Sequence, residues 1–244
     1  MISKAFVITF LSGMSTLMGA LLLLVFKENK KILIYSLSFA AGVMLFISIL
    51  DLIPLSIEYL SSIFNNKLVY LNLILFIFVG IFLSKLIDNL IPENKNGSLY
   101  KTGIISMIAI ILHNIPEGIA TYITSSNNIT VGTKLAIAIA LHNIPEGISI
   151  FLPIYYSTRN KNKGIIYTLI SGMSEVLGAI LAKAFLMPYI NNLTLGFLFS
   201  LIAGIMIYIS TFSLAKEALS YKDYKSFITF FIIGILFVII SLNI

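Results

Sequence analysis

The chain has 244 residues, of which 59% are hydrophobic and 11% are charged, and its formal net charge is +6 at pH 7. With a mean hydropathy of +1.02, it has too little charge to cover a water-facing surface, so the composition excludes a soluble globular domain and predicts an integral membrane protein. The absence of cysteine excludes disulfides, thiolate metal sites and cysteine nucleophiles. The positive charge does not indicate a nucleic acid partner, because the lysines are explained by membrane orientation.

Eight apolar segments have the length of membrane-spanning helices, since about 20 residues cross the hydrocarbon core. The first has no small-residue cleavage site followed by a polar start, so we expect it to be retained rather than removed as a signal peptide. All connections are short, and we therefore expect a single transmembrane domain over residues 1–244, an all-α bundle of eight transmembrane helices. The predicted segments are 5–26, 32–54, 68–90, 103–124, 131–153, 164–187, 194–214 and 226–243.

Basic residues are distributed unequally between the two sides of this bundle. Twelve fall in the odd-numbered loops, and four fall on the other side, namely Lys4, Lys67, Lys134 and Lys183. The positive-inside rule then places the odd-numbered loops in the cytoplasm and both termini outside, in a multi-pass protein of the cytoplasmic (inner) membrane. The twelve residues are Lys27, Lys30, Lys31, Lys85, Lys95, Lys101, Arg159, Lys161, Lys163, Lys216, Lys222 and Lys225.

The six-residue segment His-Asn-Ile-Pro-Glu-Gly occurs twice, at residues 113–118 in the fourth predicted helix and at 142–147 in the fifth. The two copies contain both histidines of the chain. In each copy the histidine, asparagine and glutamate are spaced so that they project from one side of a helix. The two helices are predicted to be antiparallel neighbours joined by a short loop around Ser125–Thr133, so the two copies should meet near mid-membrane.

Pro116 and Pro145 lie inside these two helices. A proline removes one helical hydrogen bond and displaces the carbonyl four residues earlier, here that of Leu112 or Leu141. We therefore expect proline-kinked fourth and fifth helices at the centre of the bundle, where irregular backbone is surrounded by protein or by a wet cavity.

Small residues indicate close helix packing around the repeated segments. Ser12, Thr16 and Ala20 share one face of the first predicted helix, which is typical of helix contacts in a bilayer. Gly118 and Gly147 end the two motif copies and would let a neighbouring backbone approach closely.

Four acidic residues, Asp51, Glu117, Glu146 and Glu175, lie deep in predicted helices, whereas the basic residues lie at or near helix ends. A charge at the bilayer centre costs roughly 3 kcal/mol, so these carboxylates need protons, water or bound cations. A divalent metal explains the carboxylates and the imidazoles together. Nitrogen and oxygen ligands without sulfur suit Zn²⁺, Fe²⁺, Mn²⁺ or Co²⁺.

Bridging glutamates would allow two ions side by side. One ion could take both histidines and both motif glutamates, and the other both asparagines, both motif glutamates and Glu175. The asparagines could instead form hydrogen bonds between helices. Asp51, outside both ligand sets, is either a station for a passing cation or an interfacial residue. The candidate ligands are His113, Asn114, Glu117, His142, Asn143, Glu146 and Glu175.

The paired motif, followed by Ser-Gly-Met-Ser-Glu at 171–175, resembles the ZIP (ZRT/IRT-like) metal transporters and is most similar to their bacterial ZupT-like branch. The resemblance extends through 38–44, 51–54 and 203–206 and covers nearly the whole chain. It implies eight helices with both termini outside, a binuclear mid-membrane site, and uptake of zinc and other divalent cations into the cytoplasm without a prosthetic group. It also implies one ion on His113, Glu117, His142 and Glu146, and a second ion on Asn114, Glu117, Asn143, Glu146 and Glu175.

Two departures from the family pattern matter. Residues 88–102 contain no histidine, although many relatives have a histidine-rich loop there, which puts cytoplasmic metal capture at this loop in doubt. Phe212 and Ser213 stand where ZupT-like relatives carry an acidic pair, so an auxiliary site or proton route through that pair is also in doubt.

Two other functions stay open at this point. An intramembrane metallohydrolase could activate water on the metal, although the HExxH arrangement is absent, and a proton-coupled carrier of a small organic solute could use the glutamates as proton relays. The chain lacks a GxxxxGK[ST] motif, so it does not drive transport by ATP hydrolysis. We predict a zinc transporter and not an enzyme, with iron, manganese and cobalt as further cargo and a homodimer as one option for assembly.

Overall fold

The computed structural model describes residues 3–25, 29–92, 97–186 and 189–242. Within these residues the chain is helical, without a strand, and eight helices are long and apolar enough to cross a membrane. This confirms the predicted all-α bundle. The helices are α1 (Lys4–Leu23), α2 (Lys30–Ser61), α3 (Asn66–Leu90), α4 (Gly97–Asn127), α5 (Ile129–Thr158), α6 (Lys161–Leu186), α7 (Asn192–Ser220) and α8 (Tyr224–Ser241).

Several helices are longer than the predicted apolar segments, because helical hydrogen bonding continues beyond the residues that need hydrocarbon around them. The predicted loop around Ser125–Thr133 is wrong for this reason. Helix α4 runs to Asn127 and α5 begins at Ile129, so Asn128 alone connects them. The Asn128 side chain accepts hydrogen bonds from the backbone N–H groups of Thr130 and Val131, which caps α5 and allows this abrupt reversal.

Three helices contain a π-helical segment, in which hydrogen bonds span one more residue than in an α-helix. These segments are Ser48–Leu52 in α2, Ala182–Leu186 at the end of α6, and Ile209–Ala215 in α7. Such turns are rare and are frequent at functional sites. The first of them contains Asp51, which is one of the four deep acidic residues.

The eight helices form two packed groups. Helices α1, α4, α5 and α6 pack against one another, and α2, α3, α7 and α8 form the second group. Aromatic stacking joins members of the second group, as in Tyr35 on Phe230 and Phe76 on Phe197, with ring centroids 4.1 and 4.3 Å apart. The groups meet chiefly where α2 crosses α5 and where α7 passes α4.

Helices α3 and α8 are the least buried of the eight. Large apolar side chains such as Leu71 and Phe78 on α3, and Leu236 and Ile240 on α8, are exposed along their outer faces. A water-soluble protein does not expose faces of this length and apolarity. The chain is therefore a multi-pass membrane protein, with these faces turned to lipid.

Some predictions fall outside the described residues. Lys27 and Lys95, two of the twelve basic residues assigned to the cytoplasmic side, lie there, as do the predicted helix ends at 26, 187 and 243. Other basic residues predicted in loops, including Lys101, Lys163 and Lys216, lie in the terminal turns of helices on the same side. The other ten of the twelve basic residues lie within the described chain.

Candidate metal centre

The two motif copies lie near the middle of α4 and α5, which are antiparallel neighbours. Both helices remain continuous through Pro116 and Pro145, so the prolines do not break them. The histidine, asparagine and glutamate of each copy are buried. The predicted meeting of the two copies inside the bundle is confirmed by these positions.

Three side chains converge most closely. The Oε1 atom of Glu117 lies 3.1 Å from Nε2 of His113 and 2.9 Å from Nε2 of His142. The potential ligand atoms of the three residues all lie within 4.8 Å of one another. Two imidazoles and a carboxylate in so small a volume form the kind of donor set that holds Zn²⁺ and related divalent ions.

Glu146 lies beside this trio. Its Oε1 atom is 3.4 Å from Nε2 of His113, and the side chain is fully buried. Neither carboxylate oxygen of Glu146 has a hydrogen-bond partner among the described residues. The structure thus brings together the four side chains predicted for the first ion, with three in close contact and Glu146 next to them.

The residues predicted for a second ion form a looser group. The Asn143 side chain donates a hydrogen bond to Oε1 of Glu175 and another, of 3.2 Å, to the backbone carbonyl of Ser12 in α1. The Asn114 side chain donates to the backbone carbonyl of Ser171 in α6, at 3.3 Å. Each asparagine therefore contacts a neighbouring helix, and of the two only Asn143 donates a hydrogen bond to a candidate carboxylate.

Two glycines allow neighbouring backbones to close around the group. A Cβ atom at Gly147 would collide with the backbone carbonyl of Thr16 in α1, and one at Gly118 would collide with the backbone of Glu175 in α6. These contacts bring α1 and α6 against the motif helices. The close approach predicted from the two glycines and from the small-residue face of α1 is confirmed.

The group contains more polar atoms than the protein itself satisfies. Within the described part of the chain, these buried atoms have no hydrogen bond of acceptable geometry: both ring nitrogens of His113, both oxygens of Glu146, Oδ1 of Asn114 and Asn143, and Oε2 of Glu117 and Glu175. Buried polar atoms are nearly always satisfied, and each exception needs a reason. Most of these atoms are oxygens with free lone pairs, which is the chemistry that a cation requires.

Asp51 lies nearer this group than its position in the sequence indicated. It is half-buried in the π-helical segment of α2, well inside that helix rather than at its end. It interacts electrostatically with His142, Glu117 and His113. Asp51 therefore lies in the second helix group, and both alternatives for it, a station for a passing cation or an interfacial residue, stay predictions.

Sequence reasoning missed the contribution of main-chain groups. The carbonyls of Ser12 and Ser171 orient the two asparagine side chains, and nothing in those residue types identifies a carbonyl as an acceptor. The signal that could have found them is the spacing of small residues in α1 and α6, because it indicates which backbones lie close to the motif helices.

Comparisons with known proteins agree with this geometry. The sequence model of the family described as "ZIP Zinc transporter" matches residues 93–241. The chain is 40% identical over 253 residues to the zinc transporter ZupT of Streptococcus mutans serotype c, covering 98% of this chain and 96% of the relative. It is 35% identical to the ZupT proteins of Campylobacter jejuni subsp. jejuni (277 residues, 98% and 95% covered) and Clostridium perfringens (269 residues, 98% and 94% covered).

Proposed function

The chain belongs to the ZIP family of zinc transporters, and from this premise we propose that it carries zinc across the membrane through the buried group of motif residues on α4, α5 and α6. It is a transporter of divalent metal ions and not an enzyme. We propose that residues 1–244 act as one transport domain. The single observation that carries the proposed site is the convergence of His113, Glu117 and His142, whose ligand atoms lie within 4.8 Å of one another.

The first ion is proposed to bind His113, Glu117, His142 and Glu146. Four nitrogen and oxygen ligands match the tetrahedral preference of Zn²⁺. A hydrated cation exchanges water for these ligands one at a time, and its charge compensates carboxylates that are otherwise costly inside a bilayer. Glu117 is the natural bridging ligand, because one of its oxygens already contacts both imidazoles while Oε2 has no partner in the described chain.

A second ion is proposed on Asn114, Glu117, Asn143, Glu146 and Glu175. The support is the set of unpartnered oxygens on these five residues. Both asparagine Nδ2 groups are occupied by hydrogen bonds, which leaves each Oδ1 free to act as a ligand. The interhelical hydrogen bonds and metal ligation are therefore compatible, because they use different atoms of the same amide.

Zinc is the proposed main cargo, because the relatives are zinc transporters. Iron, manganese and cobalt are proposed as additional cargo, since imidazole and carboxylate ligands without sulfur accept all of these divalent ions. A metal-by-metal competition assay in proteoliposomes ranks them.

The direction we propose is uptake into the cytoplasm through the cytoplasmic membrane, with both termini outside. This proposal rests on the lysine and arginine count.

The homodimer, which the sequence left as one option for assembly, is not supported by the described residues. All seven proposed ligands come from one chain, so the site needs no second copy. We therefore propose the single chain as the unit that binds and transports zinc.

Zinc uptake into proteoliposomes tests the proposal. Glu117→Ala and Glu146→Ala are expected to lower uptake at least about tenfold, as loss of metal-site groups generally does. Glu58→Ala is the matched control, because Glu58 is an exposed acid on α2 away from the site, and it should leave uptake unchanged. Full zinc flux in either site variant would contradict the assignment.

A further inference from the structure

An ion pair joins the two helix groups at the end of the bundle that the lysine count assigns to the cytoplasm. Lys101 Nζ on α4, in the first group, lies 2.8 Å from Asp88 Oδ1 on α3, in the second group. The hydroxyl of Tyr208 on α7 donates a hydrogen bond to the other oxygen of the same carboxylate, Oδ2, at 2.7 Å. We call Asp88, Lys101 and Tyr208 the latch. Its one carboxylate is contacted by donors from both groups.

A second polar link crosses the same boundary at the same end. The hydroxyl of Tyr156 on α5 accepts from the Asn29 backbone N–H at 2.9 Å and donates to the Asn29 carbonyl at 3.2 Å, which ties the end of α5 to the start of α2. Nearer the opposite end, the hydrogen bond from Asn192 to Ser62 joins α7 to the end of α2 and stays within the second group. Two sets of directional bonds between the groups thus lie together at one end of the bundle.

Where α2 crosses α5, the groups meet through apolar packing. Leu37 and Ala41 on α2 and Ile150 and Ile154 on α5 are fully buried in one core cluster. Apolar contact is non-directional, so it is largely kept when packed helices slide by a small amount. An ion pair has a favoured geometry and fixes the register of the surfaces that it joins. The latch therefore selects one arrangement of the two groups.

A cavity of about 90 Å³ lies beside the latch, and Asp88 and Lys101 form part of its wall. Thr102 of α4 and Ser213 of α7 also line it, so the cavity lies between the two groups. Thr102 stands eleven residues before His113 on α4, which is about 16 Å along the helix. The cavity is therefore at the cytoplasmic end of the helix that carries the candidate metal centre.

The ion pair can break without leaving a buried charge. The side chains of Lys101 and Asp88 are 21% and 26% exposed, and the cavity has room for a few water molecules at about 30 Å³ each. Water can therefore solvate both groups once they separate, which avoids the large cost of an unpaired buried charge. Lys216 lines the same cavity and interacts electrostatically with Asp88, so the carboxylate keeps a cation nearby. The pair is thus suited to open and to form again.

We propose that the latch holds the cytoplasmic ends of the two helix groups together, and that it opens when zinc leaves the centre toward the cytoplasm. This inference rests on the proposed function, because it assigns a step in inward transport to the boundary between the groups. When the ion pair of Asp88 and Lys101 opens, the groups separate at this end and the cavity beside Thr102 extends toward the centre. When the pair forms again, the boundary closes behind the released ion.

Cross-linking in proteoliposomes tests the proposal, and the chain has no cysteine of its own to interfere. Asp88→Cys with Lys101→Cys is joined by a bifunctional methanethiosulfonate reagent, and a reducing agent that is washed out before the assay releases the link. Cross-linking should lower zinc uptake at least about tenfold, because the opening step is blocked. Reduction should restore the uptake.

The matched control for cross-linking is Tyr100→Cys with Lys163→Cys. This pair joins α4 to α6 within the first group, at the same end of the bundle, and Lys163 Nζ lies 4.6 Å from the centroid of the Tyr100 ring. A link inside one group leaves the boundary free to open. The control should therefore keep full uptake after cross-linking.

A second measurement does not depend on zinc transport. Ser106 is fully buried on α4, one helical turn beyond Thr102, so the reaction of Ser106→Cys with a water-soluble maleimide reports opening at this end. Adding Lys101→Gln should raise the labelling rate about five-fold, which is the upper range for a partly exposed ion pair. Adding Lys101→Arg instead keeps the ion pair and should leave the rate unchanged.

Two results would overturn the latch. One is full zinc uptake by the cross-linked pair at Asp88 and Lys101, and the other is an equal labelling rate with Lys101→Gln and Lys101→Arg. Zinc uptake that is absent even from the unsubstituted chain would contradict the proposed function, and the labelling rates would then decide the latch alone.

Discussion

The Nε2 atom of His142 lies 2.9 Å from Oε1 of Glu117, and Nε2 of His113 approaches the same oxygen at 3.1 Å. Imidazoles from two different helices therefore meet at one carboxylate oxygen. Because both rings approach the same oxygen atom, they should contribute to zinc binding as a unit and not as two independent ligands.

Substitution of the two histidines tests this coupling. His113→Ala and His142→Ala should each weaken zinc binding at least about tenfold, and the double variant should lose less than the product of the two single losses. Titration of the purified protein against a fluorescent zinc chelator measures the four affinities. Losses that multiply would show that the rings bind separately and would contradict a shared centre.

Metal removal should lower the stability of the folded protein. The buried centre leaves four carboxylate oxygens without hydrogen bonds within the described residues, and zinc should compensate them. At a zinc concentration one hundred times the dissociation constant, we expect about 2.7 kcal/mol of stabilisation. Thermal unfolding with zinc and with a chelator measures the stability difference between the two states. This difference should be smaller in Glu146→Ala. An unchanged unfolding temperature on chelation would contradict a zinc site.

Asn143 offers a way to separate ligation from interhelical hydrogen bonding. Its amide donates to Glu175 and to the Ser12 carbonyl. Asn143→Asp keeps an oxygen ligand but places two carboxylates in contact, so the metal-free protein should lose about 2 kcal/mol of stability. Zinc should restore that loss.

Asn143→Leu is the comparison, because it removes the ligand atom and the donor together. It should be destabilised to a similar degree, with no recovery when zinc is added. Equal recovery of both variants, measured by chemical unfolding with and without zinc, would show that the Asn143 side chain is not a ligand.

Gly147 is expected to be intolerant of any side chain. A Cβ atom there would collide with the Thr16 carbonyl, which is backbone and cannot move aside without shifting α1. Gly147→Ala should therefore cost about 2 kcal/mol or more in unfolding free energy and lower zinc uptake, because α1 would be displaced from the site. Ile137→Ala, at an exposed position on the same helix, is the control and should have little effect. Equal stability of the two variants would contradict close packing of α1 on α5.

The sequence alone predicted the eight helices because membrane spans need long apolar runs, and the repeated motif marked the centre because charge is costly at that depth. The ends of the helices were not predictable from apolarity. Helix α4 continues to Asn127 because its last turns are polar but still hydrogen-bonded, and the single-residue connection at Asn128 depends on one capping side chain.

Other features depend on how the helices pack. The division into two groups is not encoded in the periodicity of any one helix, since α2 and α5 are both apolar over most of their length. The position of Asp51 shows the consequence. Its distance from the motif along the chain gave no indication that this carboxylate would lie within electrostatic range of His142.

Asp51 should therefore affect how zinc reaches the centre and not how many ions it holds. The carboxylate is half-buried on α2, in the second helix group, and it interacts electrostatically with Glu117 and His142 across the boundary between the groups. A negative charge at the edge of a site concentrates cations there. Asp51→Asn should raise the zinc concentration for half-maximal uptake about threefold to tenfold and leave the number of bound ions unchanged.

Uptake kinetics and metal analysis of the purified variant measure the two quantities, with Glu58→Gln on the same helix as the control. Loss of a bound ion in Asp51→Asn would make Asp51 a ligand of the centre, and unchanged kinetics would leave it without a part in transport.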